Sequence, residues 1–171
     1  MQLSSYKVLV VDDDESMTNL IVSLLSQQGH QCTKAVDGAE ALDKASRAKF
    51  NAVITDIVIP KIDGIALVRE LIKRDHNLPV MVMTGYTDEY SARDAVAAGA
   101  REFITKPFSI VEFVTRFQRM MRDHETLCQI EAKKNEIIFD MHKESIETVK
   151  ELEMEIEKLK NRLNTLYVDF F

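Results

Sequence analysis

The stretch AVITDIVIPKIDG, residues 52–64, runs from a short apolar segment to a carboxylate and then into a turn. Residues 52–55 are rich in β-branched side chains and read as a strand, with Val53 and Ile54 buried on both of its faces. Asp56 follows the strand directly, and Asp63-Gly64 reads as the turn that opens a helix. The same unit recurs on either side. Strands are expected over residues 7–11, 31–36, 52–55, 80–83 and 102–105, and helices over 15–28, 39–48, 65–75 and 91–98. Gly29 and Gly99 sit where helix C-caps belong, and Asp37-Gly38 repeats the turn of Asp63-Gly64. Five such β/α units specify the α/β class, a parallel sheet with helices on both faces.

Every expected strand but the second is followed by a polar residue: Asp12 and Asp13, Asp56, Thr84, and Lys106. In an open parallel sheet, ligands bind beyond the carboxyl ends of the strands. If the order is 2-1-3-4-5, strands one and three are neighbours and three carboxylates converge. Such a cluster needs a hard divalent cation or a raised pKa. Mg²⁺ suits it, taking one or two carboxylates, keeping waters and accepting a phosphoryl oxygen. A carboxylate beside that ion is a competent nucleophile toward phosphorus, the metal and a lysine absorbing charge on the equatorial oxygens. Taken singly these residues are ordinary. An acid-rich turn such as residues 12–15 commonly just opens a helix, Thr84 would serve as a helix cap, and Lys106 as a strand-end lysine. Their joint placement carries the chemistry.

The strings VLVVDDDES (residues 8–16), AVITDIVIPKIDG (52–64), VMVMTGY (80–86) and GAREFITKPF (99–108), in that order and spacing, resemble the receiver domain of two-component response regulators over about residues 5–121. The resemblance implies a flavodoxin-like sheet of order 2-1-3-4-5. It implies that Asp56 accepts a phosphoryl group from a sensor histidine kinase, a phosphotransfer protein or a small donor. Asp13 and Asp56 would ligate Mg²⁺ directly, Asp12 through water, and the Val58 backbone carbonyl would complete the protein ligands. Thr84 and Lys106 would hold phosphoryl oxygens, Phe103 would be the switch aromatic that turns inward when Thr84 moves, and Lys106-Pro107 would be cis. Such a domain catalyses only its own phosphoryl transfer and dephosphorylation. Two positions depart from the commonest pattern. Val58 and Tyr86 stand where polar side chains in fast members help a water attack, so a long-lived phosphoryl form is expected.

Beyond Pro107 the texture changes. The remaining 64 residues contain neither Gly nor Pro and could form one helix of about 95 Å, too long for a domain of this size to cover. Val149, Leu152, Ile156, Leu159, Leu163, Leu166 and Phe170 alternate in steps of three and four, the seam of a coiled coil. Met141, Ser145 and Val149 are four apart, so the register shifts there and the seam is weaker upstream. Glu147 with Lys150, Glu155 with Lys158 and Glu157 with Lys160 suit a solvated helix face. The expected division is a receiver over residues 1–122 and a helical extension over 123–171. The extension carries 12 acids against 7 bases, hence −5 of the formal net charge of −6. Its expected role is dimerisation or binding of a downstream protein.

The whole chain, 171 residues with 46% apolar and 29% charged, fits one core and an appendage. Cys32 and Cys128 lie far apart, and His30, His76, His124 and His142 are scattered, so neither a disulfide framework nor a transition-metal site is expected. No signal peptide and no bilayer-spanning run are evident, which points to the cytoplasm without membrane insertion. The acidic balance argues against nucleic-acid binding. No helix-turn-helix, nucleotide-cyclase or phosphodiesterase signature follows residue 122. Two other readings stand beside the main one. An inert receiver could serve as a scaffold for a working coil. A haloacid-dehalogenase-type phosphohydrolase could use Asp12, Asp14 and Ser16, although it lacks the further acid pair that such enzymes need beyond the lysine.

Overall fold

Strands and helices alternate without exception in the computed structural model, which describes residues 5–85 and 92–168, with side chains as far as residue 160. The order is β1 (Lys7–Val11), α1 (Glu15–Gln27), β2 (Gln31–Ala35), α2 (Gly38–Arg47), β3 (Ala52–Asp56), α3 (Gly64–Arg74), β4 (Val80–Gly85), α4 (Ala92–Ala98), β5 (Glu102–Lys106) and α5 (Ile110–Val168). Tyr86 lies outside the described residues, as do the side chains of Leu163, Leu166 and Phe170. The strands pair in parallel in the order β2-β1-β3-β4-β5, a flavodoxin-like sheet.

Alternation along each strand divides the core in two. On one face Leu9, Val11, Val53, Val80 and Val82 meet Ala41 of α2, Ile65, Leu67, Val68 and Leu71 of α3, and Ala95 and Ala98 of α4. On the other Val8, Val10, Ile54, Met81, Met83 and Ile104 meet Ile21 and Leu25 of α1 and Phe113, Phe117, Met120 and Met121 of α5. The acids of the turns act as caps. The side chains of Asp14, Asp37 and Asp63 accept backbone N–H bonds at the starts of α1, α2 and α3, satisfying donors that a helix start leaves unpaired.

The chain divides into two compact units, Met1–Glu125 and Thr126–Phe171. In the second, the described apolar residues Ile137, Phe139, Met141, Ile146, Val149, Leu152, Ile156 and Leu159 are all exposed. Of the three charge pairs expected there, Glu157 and Lys160 approach to 4.0 Å. No described helix is long and apolar enough to cross a membrane.

Candidate metal centre

Parallel pairing determines where the site falls. Val11 of β1 lies opposite Thr55 of β3, so Asp12 leaves β1 level with Asp56, the last residue of β3. Asp56 pairs with Met83 of β4, which puts Thr84 one residue further on; Thr84 then faces Thr105, and Gly85 faces Lys106. One edge of the sheet thus gathers Asp12, Asp13, Asp56, Thr84 and Lys106. Oxygens of Asp12, Asp13 and Asp56 lie within 4.8 Å of one another. Asp12 and Asp56 are buried and Asp13 is exposed.

A single ammonium group ties the cluster together. Lys106 Nζ donates to Asp12 Oδ2 and to Asp56 Oδ2, each at 2.9 Å. The remaining oxygens are partly used: Asp12 Oδ1 accepts from the Asp14 N–H and Asp56 Oδ1 from the Ile57 N–H, both at 2.9 Å. Burial pushes the Asp56 carboxyl above its ordinary range, against the pull of Lys106 and with a further push from the neighbouring Asp12 charge. Burial alone would lower the Lys106 ammonium, but its bonds to Asp12 and Asp56 outweigh that and hold it above its usual value. Three carboxylates against one lysine leave a formal charge of −2 in a mostly buried pocket, which a divalent cation matches. Asp13 makes no hydrogen bond or ion pair among the described residues, and no backbone hydrogen bond among them ends on the Val58 carbonyl. The donor set fits a hard cation.

The switch candidates lie beside this cluster. Thr84 is buried, and its hydroxyl donates to the Gly85 carbonyl at 3.2 Å. Phe103 pairs with Val82 in the β4–β5 ladder and is half-buried. The Val58 side chain is 60% exposed, and the Lys106-Pro107 bond is cis, as the resemblance implied.

Several supporting contacts were not legible beforehand. A Cβ on Gly64 would lie 2.0 Å from the Asp56 carbonyl oxygen, so only glycine lets the loop after β3 fold back onto the acceptor strand. Lys61 adopts a φ of 67° and its Nζ sits 2.6 Å from Asp37 Oδ2. That bond pins the loop to the start of α2 and holds the Asp37 carboxyl below its usual range. The Arg116 guanidinium of α5 lies 5.9 Å from the centre of the Phe103 ring. It is held there by Glu102 at 3.1 Å and Glu112 at 3.0 Å, and Arg119 also bonds the buried Glu102. Only Asp63-Gly64 had signalled the first of these features, and then merely as a turn.

A five-stranded sheet of this order with acids, a threonine and a lysine on one edge defines a receiver domain of two-component systems. The sequence profile of the response regulator receiver domain matches residues 8–118, and the chain belongs to that family. It is similar to the alkaline phosphatase synthesis transcriptional regulatory protein PhoP of Bacillus subtilis, 33% identical over 130 residues, which cover 76% of this chain and 54% of PhoP. It is also similar to the transcriptional regulatory protein PrrA of Mycobacterium leprae, 34% identical over 70% of this chain and 52% of PrrA. The chain spans about half the length of the curated relatives it matches. Among solved structures, a response regulator receiver domain protein from Clostridium thermocellum matches 71% of this chain and 98% of its own at a TM-score of 0.66 and 28% identity. NtrX from Brucella abortus matches 75% of this chain and 29% of its own at 0.71, also at 28% identity.

Proposed function

We propose that this chain is a phosphorylation-controlled response regulator of the cytoplasm, with Asp56 as acceptor, a sensor histidine kinase or phosphotransfer protein as donor, and the tail as output. The observation that carries the reading is Lys106 Nζ bridging Asp12 and Asp56 at 2.9 Å beside a third carboxylate. An Asp56 carboxylate oxygen attacks phosphorus as the P–N bond to the donor imidazole breaks; the electron pair leaves with the imidazole nitrogen, which takes a proton from water. Lys106 offsets part of the effect of burial on Asp56, favouring its anionic form, and then holds a phosphoryl oxygen. Asp13, Asp56 and the Val58 carbonyl would hold Mg²⁺ directly and Asp12 through water, and the bound ion would neutralise charge gathering on the phosphoryl oxygens.

Thr84 exchanges its bond to the Gly85 carbonyl for one to the phosphoryl group, and Phe103 turns into the space that it leaves. The surface of α4, β5 and α5 changes, and α5 belongs to both units, so the tail feels the change. A shift of a few kcal/mol in that equilibrium suffices. The exposed, apolar Val58 offers no help to an attacking water, so the acyl phosphate is long-lived. Tyr86 supports the same expectation from its sequence position.

Incubation with Mg²⁺ and a small acyl-phosphate donor tests the reading. The intact mass should rise by one phosphoryl group, and Asp56→Asn should abolish the gain. A group found on Asp12 would favour the phosphohydrolase. An unchanged spectrum with Mg²⁺ and beryllofluoride would favour the inert scaffold. A phosphoryl half-life of seconds at neutral pH would refute the argument from Val58.

A further inference from the structure

We infer that the tail pairs with a second copy of this chain as a parallel, in-register, two-stranded coiled coil in which Glu155 of each chain faces Lys160 of the other. The inference rests on the tail being a coiled coil and specifies its partner, strand number and direction.

Val149, Leu152, Ile156 and Leu159 are 51%, 54%, 52% and 56% exposed, although their spacing puts them on one stripe of α5. In heptad terms Val149 and Ile156 occupy a, and Leu152 and Leu159 occupy d. A β-branched residue at a with leucine at d favours parallel dimers over trimers and tetramers, because the two layers of a two-stranded coil pack their side chains at different angles and each branching pattern suits its own layer. The flanking charges agree. With Val149 at a, Thr148 and Glu155 are g, and Glu153 and Lys160 are e. In a parallel pair each g residue meets the e residue five positions on in the partner. Thr148 then opposes Glu153 without like-charge repulsion, and Glu155 opposes Lys160 twice per dimer. Among the described residues Glu155 has no ion pair within its own chain, and Lys160 reaches only Glu157, at the 4.0 Å limit. An antiparallel pair sets g against g and e against e, separating Glu155 from Lys160.

The experiment uses the full chain. Sedimentation equilibrium should give a dimer without any donor present. In a Cys32→Ser, Cys128→Ser background, Val149→Cys should form an interchain disulfide under mild oxidation, since parallel register brings the two positions within bridging distance. With native cysteines, Glu155→Lys and Lys160→Glu should each weaken the dimer about tenfold, and the double exchange should restore it to within about twofold. A trimer or tetramer overturns the strand number. A dimer without the disulfide, or without restoration, overturns the parallel pairing. A monomer overturns the coil itself and leaves phosphorylation at Asp56 to be judged by its own mass assay.

Discussion

Ile54 in β3 is 0% exposed and Ile156 in α5 is 52% exposed, yet each stands in a regular element with apolar periodicity. In the receiver, the period of two along the strands and 3.6 along the helices interlock, so one chain covers both faces of its sheet. In the tail, the repeat averages 3.5 residues and finds no complement among the described residues. Charges differ in the same sense. The receiver buries Asp12, Asp56 and Glu102 and gives each a cationic partner, whereas the described tail pair, Glu157 with Lys160, is mostly exposed to water and contributes little. The receiver is complete in its interior and unbalanced at its acidic edge; the tail is unbalanced along its apolar stripe. On the reading proposed above, each imbalance takes a partner of its own kind, a cation for one and a helix for the other.

The most severe way to break this comparison is to cut the chain after Glu125. The receiver should still melt cooperatively, bind Mg²⁺ and become phosphorylated, while self-association should vanish from sedimentation profiles. A cut chain that fails to fold would show that the two units are not independent. Next in size is Lys106→Ala. It leaves the Asp12 side chain, 0% exposed, and the Asp56 side chain, 13% exposed, without their cation. Urea titration should show a loss of about 3 kcal/mol, and saturating Mg²⁺ should recover much of it, which neither half of the experiment would do if the cluster were merely a solvated helix start.

How legible was all this in the sequence? The strands were, to within two residues at each end, because buried parallel strands are written as β-branched runs that tolerate little else. The site was legible because parallel strands end together: once residues 8–11 and 53–55 are adjacent, Asp12 and Asp56 must meet. The supporting contacts were not. Nothing in PKIDG announces that Gly64 must lack a Cβ because it touches the Asp56 carbonyl, or that Lys61 reaches Asp37 across two loops. Nor does any local pattern join Arg116 to Phe103, which lie on separate elements and meet only because α5 packs beside β5. Three-dimensional neighbours of low sequence specificity leave no periodic trace. The tail differs again, since its pattern is plain but no complement to it lies among the described residues.

A smaller effect should come from Arg116→Ala. The guanidinium that caps Phe103 is anchored by Glu102 and Glu112, so it favours the half-exposed ring by about 0.5–1 kcal/mol, the usual worth of such a contact near the surface. Removing it should make the inward turn easier and tighten binding of beryllofluoride with Mg²⁺ by about two- to fivefold. Arg116→Lys keeps the charge and loses the flat stacking surface, so it should recover little of the difference. Unchanged affinity in both variants would mean that the ring does not move.

The smallest effect concerns pH and again separates the two regions. His30 is 6% exposed, flanked by the rings of Tyr6 at 5.0 Å and Phe117 at 5.6 Å, and its Nδ1 accepts the Tyr6 N–H at 3.4 Å. Burial lowers its pKa from the ordinary 6.5, so the folded receiver binds a proton there less readily than the unfolded chain does. The sign follows: the stability linked to His30 is complete above about pH 6.5 and drains away as the pH falls from there toward the lowered folded value. Arg122 and Glu125 line the same crevice, and Glu125 accepts from the Tyr6 hydroxyl, so the histidine is not alone in responding to acid. Melting of the receiver should therefore drop by a few degrees between pH 7.5 and 5.5, and His30→Phe should remove part of that drop. His142, exposed on the tail, provides the control substitution outside the receiver, His142→Phe. If both substitutions flattened the curve equally, burial would not be the cause.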